Sequence, residues 1–121
     1  MNRENWGYKG PDGICSTTAD LAKFMKALRA GKILQKGSLQ ALWTGEVQLS
    51  DSYATPGWFR SISAAGSQVI DTRGTDHGHN SIIKYYPARD LVLISLSSSQ
   101  DPDGPLLARM LVNKLEEKLK L

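Results

Sequence analysis

The stretch that most constrains the fold is residues 72–98, TRGTDHGHNSIIKYYPARDLVLISLSS, which reads as two strands joined by a tight turn. Its first arm, residues 79–86, carries Ile82, Ile83, Tyr85 and Tyr86. Its second arm, residues 91–96, is apolar everywhere except Ser95, a pattern that suits a strand covered on both faces. Such a hairpin requires layers on either side. Between the arms, Pro87-Ala88-Arg89-Asp90 supplies the turn, because Pro presets one backbone angle and Asp can bond its own backbone. The approach to the first arm, Arg73-Gly74-Thr75-Asp76-His77-Gly78, is polar and Gly-rich and reads as a loop of the kind that carries function.

With 121 residues, 40% of them apolar, the chain is expected to form one globular domain over residues 1–121. There is no run of about 18 apolar residues, and the first residues lack the charged-then-apolar pattern of a secretory signal. The chain as written is therefore expected in the cytoplasm, without a membrane partner; as part of a longer precursor it would be periplasmic or secreted. The single Cys15 excludes an internal disulfide and a CxxC site, and reads as a structural thiol. The net charge of +3 is scattered, and the densest basic group, Lys114, Lys118 and Lys120, alternates with Glu116 and Glu117, which argues for a solvated helix face and against nucleic acid as a partner.

Residues 1–13 are polar and Gly-rich and read as an irregular lead-in. Thr17 then makes an N-cap with Asp20 three residues on, Leu21, Phe24, Met25 and Leu28 follow at helical spacing, and Gly31 stands where a left-handed cap ends the helix. Ser38 is placed to cap a second helix carrying Leu39, Leu42 and Trp43 and closing at Gly45. Residues 46–56 read as loop. Residues 57–62 and 68–71 read as two further strands around the turn Ala64-Ala65-Gly66-Ser67. After a break at residues 101–105, with Pro105 at the first helical position, Leu107, Leu111, Leu115 and Leu119, flanked by Met110 and Val112, give a last helix an expected buried stripe. The expected architecture is α+β: an antiparallel sheet of about four strands, the C-terminal helix on one face, and two helices N-terminal to the sheet. Leu93, Ile94 and Leu96 are expected between the layers, with Leu111 and Leu115 against the sheet.

Three segments resemble the C-terminal portion of the serine β-lactamase-like family, which includes class C β-lactamases, DD-peptidases and esterases. Gly13-Ile14-Cys15-Ser16-Thr17-Thr18-Ala19-Asp20-Leu21-Ala22-Lys23-Phe24 is similar to the family's G-G-x-x-S-T-A-x-D-L-A-x-F entry to a helix. Tyr53-Ala54-Thr55-Pro56-Gly57-Trp58-Phe59 is similar to its Y-G-x-G-W strand, with one extra residue. Gly78-His79-Asn80-Ser81, Pro87-Ala88-Arg89 and the strand that follows resemble its G-F-S-S, D-P-E-R and V-V-V-L-S-N hairpin. The resemblance implies a partial β-lactamase/transpeptidase-like fold, the later part of a larger hydrolase.

The resemblance also implies chemistry that these residues do not carry. The family's nucleophile is a Ser with a Lys three residues later on a helix, where the two share a face. The one string with those letters, Ser81-Ile82-Ile83-Lys84, falls on a strand, where residues three apart point to opposite faces. The family's Tyr-or-Ser, x, Asn motif has no match. Its Lys-or-His, Thr-or-Ser, Gly strand falls on Thr72-Arg73-Gly74, which keeps the Gly and shifts the cation by one position, to the opposite face. No catalytic residue is assigned, and the chain alone is expected to be inactive. A remnant cleft is expected around Arg73, Gly74, Thr75, Asp76 and His79, where Arg73 could attract a carboxylate.

His77 and His79 beside Asp76 could share a metal, but a third ligand is missing, so no metal is assigned. A Ser-His-Asp triad can be drawn from Asp76, His77 and several serines, without the G-x-S-x-G elbow that would single one out. Trp6, Trp43, Trp58, Tyr53, Tyr85 and Tyr86 read as core aromatics, with a ligand groove as the alternative. No phosphate loop occurs, and no cofactor is expected. Two alternatives stay open: a complementing half whose partner supplies Ser and Lys, and a small-ligand-binding module using the remnant cleft. An open sheet edge leads us to expect a homo-oligomer formed by edge pairing or element exchange.

Overall fold

The computed structural model describes residues 14–44, 47–76, 78–98 and 107–121. Helix α1 (Thr18–Arg29) begins at Thr17, whose hydroxyl accepts from the Asp20 amide at 3.1 Å. The helix stops in a Schellman motif: Gly31, at φ +70°, donates to Leu28, and Lys32 donates to Ala27. A Cβ in that left-handed conformation would be strained, which is why Gly ends the helix. Helix α2 (Lys36–Trp43) starts one turn earlier than the sequence suggests, with Gln35 at the cap position and Ser38 inside the helix. Its Leu39, Leu42 and Trp43 do face the core; the expected stop at Gly45 lies outside the described residues.

Six antiparallel strands follow in simple meander order: β1 (Val47–Gln48), β2 (Ser52–Thr55), β3 (Trp58–Ile62), β4 (Gln68–Asp76), β5 (His79–Tyr86) and β6 (Leu91–Ser98). Two of them lie in the stretch read as loop from sequence, and β4 runs through the Gly-rich approach as far as Asp76. Polar residues extend this strand because β5 offers a full-length ladder partner, from Ile70 opposite Tyr85 to Asp76 opposite His79. The β5–β6 connection is a short 3-10 turn, Pro87–Arg89, closed by Asp90 in the left-handed region at φ 48°. Helix α3 (Leu107–Leu119) completes the α+β fold; Pro105 lies outside the described residues.

Directly opposed residues on neighbouring strands share a face, so the ladder sorts the sheet into two sides. Ile70, Ile83 and Tyr85 face α1 and α2, where they pack with Met25, Leu28 and Trp58. Trp43 meets Trp58 edge-on at 6.3 Å and Tyr85 at 5.2 Å, so these aromatics are core. Tyr86 is also buried, in a second cluster with Val69 and Leu121, whereas Tyr53 lies at the surface under the Arg60 guanidinium; Trp6 is outside the described residues. On the other side, Ile82 packs against Ala108 and Val112 of α3.

The expected leucine stripe is corrected by this packing. Ala108 and Val112 are buried, while Leu107, Leu111 and Leu119 are 47%, 54% and 44% exposed, and Leu115 is half-buried. A polar contact on the same side of the helix accompanies this packing: Glu116 accepts from Lys84 at 2.8 Å and from the Tyr86 hydroxyl. Leu93 and Ile94 are half-buried and Leu96 is 37% exposed, because β6 is the last strand of the sheet.

Candidate cleft at the end of the sheet

A cleft of about 800 Å³ opens between the segment leading into α1 and the far ends of β4, β5 and β6. Its floor is laid down by strand register in three rows. Thr72 and Ile83 form one row, which continues to Ile94 in the core, Gly74, Ser81 and Leu96 the next, and Asp76, His79 and Ser98 the outermost. Ile14, Cys15, Ser16 and Leu21 make the opposite wall. The floor runs from apolar at the core to polar at the rim, since hydroxyls, an imidazole and a carboxylate gather where the strands meet solvent.

Glycine at 74 leaves this part of the floor open beside Ser81. A Cβ at that position would meet Ser81 Oγ at 3.0 Å, so a side chain there would either displace Ser81 or fill the cleft. Thr75 points to the other side of the strand, and its hydroxyl donates to Asn80 Oδ1 at 3.3 Å. The Asp76 carboxylate stands across the ladder from His79. Arg73, Gly74, Thr75, Asp76 and His79 thus all border the cleft, but they do not contribute alike.

Arg73 is the only cation among the described lining residues, and its guanidinium does not address the floor. It sits 5.1 Å from the centroid of the Phe59 ring and shares a row with Ile82 and Ser95 on the α3 side. A cation–π contact of this kind holds the charge over an aromatic face, so that among the described residues the rows of Thr72 and Gly74 have no Lys or Arg beside them. Ser81 and Lys84 are likewise divided. Ser81 lines the cleft, whereas Lys84 Nζ is bonded to Glu116 under α3.

Beneath α3 the charges are tightly balanced. Asp71 is 7% exposed, and its Oδ1 has no hydrogen-bond partner among the described residues. Burial pushes its carboxyl above the usual range, against the pull of Arg73 and Lys84. Burial also pushes the Tyr86 hydroxyl up, and the bond it donates to the Glu116 carboxylate adds to this. Asp71, Lys84, Tyr86 and Glu116 do not border the cleft.

The sequence reading missed the wall. Cys15 is exposed and borders the cleft rather than serving as a buried structural thiol. The signal was present in the G-I-C-S-T approach to the Thr17 cap, because a chain entering a helix over a sheet must pass the strand ends. Ser97 and Ser98 were also missed, since β6 continues two residues beyond its apolar run. His77 lies outside the described residues, and among the described residues no group of His, Cys, Asp and Glu is placed to hold a metal ion. No described helix is long and apolar enough to cross a membrane.

No protein-family model matches the chain, and no curated protein sequence does. The fold does have a solved counterpart: the penicillin-binding protein from Bacillus halodurans superposes with a TM-score of 0.67 at 19% identity, over 82% of this chain. The match spans 30% of that protein. The chain therefore has the fold of part of a penicillin-binding protein.

Proposed function

We propose that this chain is the C-terminal part of a β-lactamase-like serine hydrolase fold and performs no acyl transfer by itself. The separation of Ser81 from Lys84 carries the reading. A serine hydroxyl becomes a nucleophile when a neighbouring base takes its proton within hydrogen-bond reach, and here the sheet stands between the two groups. The floor of the cleft supports the same conclusion, because the row that would present a cation to a substrate carboxylate presents Thr72 and Gly74, with Arg73 turned onto Phe59. What remains is a half-cleft with a polar rim. Its missing half would have to bring the nucleophile, the base and the opposite wall.

The extent of the match favours this over a free-standing binding module, since the corresponding region is 30% of the penicillin-binding protein chain. Turnover of a chromogenic cephalosporin and of a short-chain ester by the purified chain, compared with Ser81→Ala, tests the proposal. Rates for both proteins should equal the buffer rate. Turnover by the wild-type chain that Ser81→Ala abolishes would overturn it.

A further inference from the structure

The polarity of the cleft floor restricts which ligands can lie on it. Each row stands two residues further along its strand than the last, a step of roughly 6.8 Å, so Ile83, Ser81 and His79 mark an inner, a middle and an outer station on β5. At the inner station Ile83 is buried, and Leu21 packs against the core cluster that holds it. An aliphatic group fits there, whereas a charged one would lose its water without a counter-charge.

The middle and outer stations are polar but supply no Lys or Arg. Beside Ser81, the floor is open at Gly74, where a Cβ would stand 3.0 Å from the hydroxyl. An ester or amide carbonyl can accept from that hydroxyl; a carboxylate gains most from a cationic donor. The guanidinium of Arg73 lies 5.1 Å from the Phe59 ring centroid, on the strand face that carries Ile82 and Ser95. In the outer row the ladder partners of His79 are Asp76 and Ser98. An anion drawn to the imidazole would therefore approach the Asp76 carboxylate, and like charges repel at that range.

We infer that the cleft takes up a neutral acyl compound, an ester or amide with an aliphatic chain and no free carboxylate, and that Thr72 sets this preference; the inference rests on the functional reading above and names the ligand class of the same cleft. The chain lies against Leu21 and Ile83, and its carbonyl lies beside Ser81. Thr72 occupies the floor position from which a longer cationic side chain would reach a carboxylate, and its own side chain brings only a hydroxyl and a methyl group. The cation one residue later, Arg73, does not replace it, because neighbouring residues on a strand face opposite ways.

The nitrogen-15-labelled chain, titrated with N-hexanoylglycinamide and separately with N-hexanoylglycine while its amide NMR spectrum is followed, provides the test. The two ligands share a shape and differ by one negative charge. Saturable shifts at the Gly74, Ser81 and Leu96 amides are expected with the amide, at an affinity at least ~10-fold above that for the acid. Thr72→Lys puts an ammonium on the floor and should bring the acid to at least equal affinity; Ser81→Lys does the same from the middle row if Thr72→Lys fails to fold. Arg73→Gln should leave the wild-type preference unchanged. Four results would each overturn the inference: wild-type protein that binds the acid as well as the amide, no saturable shift at these amides with either ligand, a folded lysine variant that still prefers the amide, or a preference altered by Arg73→Gln. Turnover enters none of these measurements, so a chain without acyl transfer can still fail this test and a chain with it can still pass.

Discussion

Ser81 and Lys84 are three residues apart in sequence and on opposite sides of the sheet, Ser81 in the cleft and Lys84 bonded at 2.8 Å to Glu116 beneath the last helix. The spacing that would unite a serine and its base on a helix divides them on a strand. Lys84 has been put to a structural use: its ammonium neutralises the carboxylate that fixes α3 to β5.

Removing that carboxylate should be costly. Lys84 and Glu116 side chains are 17% and 16% exposed, so Glu116→Ala leaves an ammonium and the Tyr86 hydroxyl without their acceptor. A loss of about 1–3 kcal/mol is expected for a desolvated group left unpaired, read as a lower midpoint in urea unfolding. Replacing both partners, Lys84→Met with Glu116→Leu, should recover most of it, since an apolar pair leaves no buried charge. A double variant as unstable as Glu116→Ala would show that the contact does not hold the helix.

Asp71 should set the pH dependence of stability. Its folded-state carboxyl is raised by burial above its unfolded value near 4. Across the interval between the two values the native state binds more protons, so stability falls as pH rises through it and stays lower above it. Asp71→Asn should therefore unfold at a higher temperature than the wild type at pH 7, and the two should converge in acid below the unfolded value. A variant less stable at pH 7 would mean that attraction to Arg73 and Lys84 outweighs burial.

The last helix makes a paired prediction. Val112 is fully buried and Leu111 is 54% exposed, so Val112→Ala should cost about 1–3 kcal/mol. Leu111→Ala, although it removes a larger side chain, should change stability by no more than about 0.5 kcal/mol. The opposite ranking would put the leucine stripe against the sheet.

That ranking marks where the sequence became illegible. The hairpin arms, the Thr17 cap and the Gly31 stop were readable because each depends on local geometry that a few residue types satisfy. The rotation of α3 was not. Leucines at helical spacing predict a buried stripe only if burial is what orients the helix, and here a polar contact from Glu116 to β5 turns Ala108 and Val112 inward instead. In β4, Arg73 to Asp76 looked like loop because their polarity belongs to a cleft and a surface rather than to a core. Ladder pairing with β5 decided their conformation, a long-range term that local pattern does not carry. The floor residues Gly74, Asp76 and His79 were accessible from the resemblance, but the wall from Ile14 to Ser16 required knowing that α1 begins beside the far ends of β4, β5 and β6.

The most direct test of the central claim is intact-mass spectrometry of the purified chain after prolonged exposure to a saturating β-lactam. A chain with no activated serine should keep its unmodified mass at every time point. A single-site acyl adduct that maps to Ser81 and is absent from Ser81→Ala would contradict the account, because it would require a base on the cleft side of the sheet.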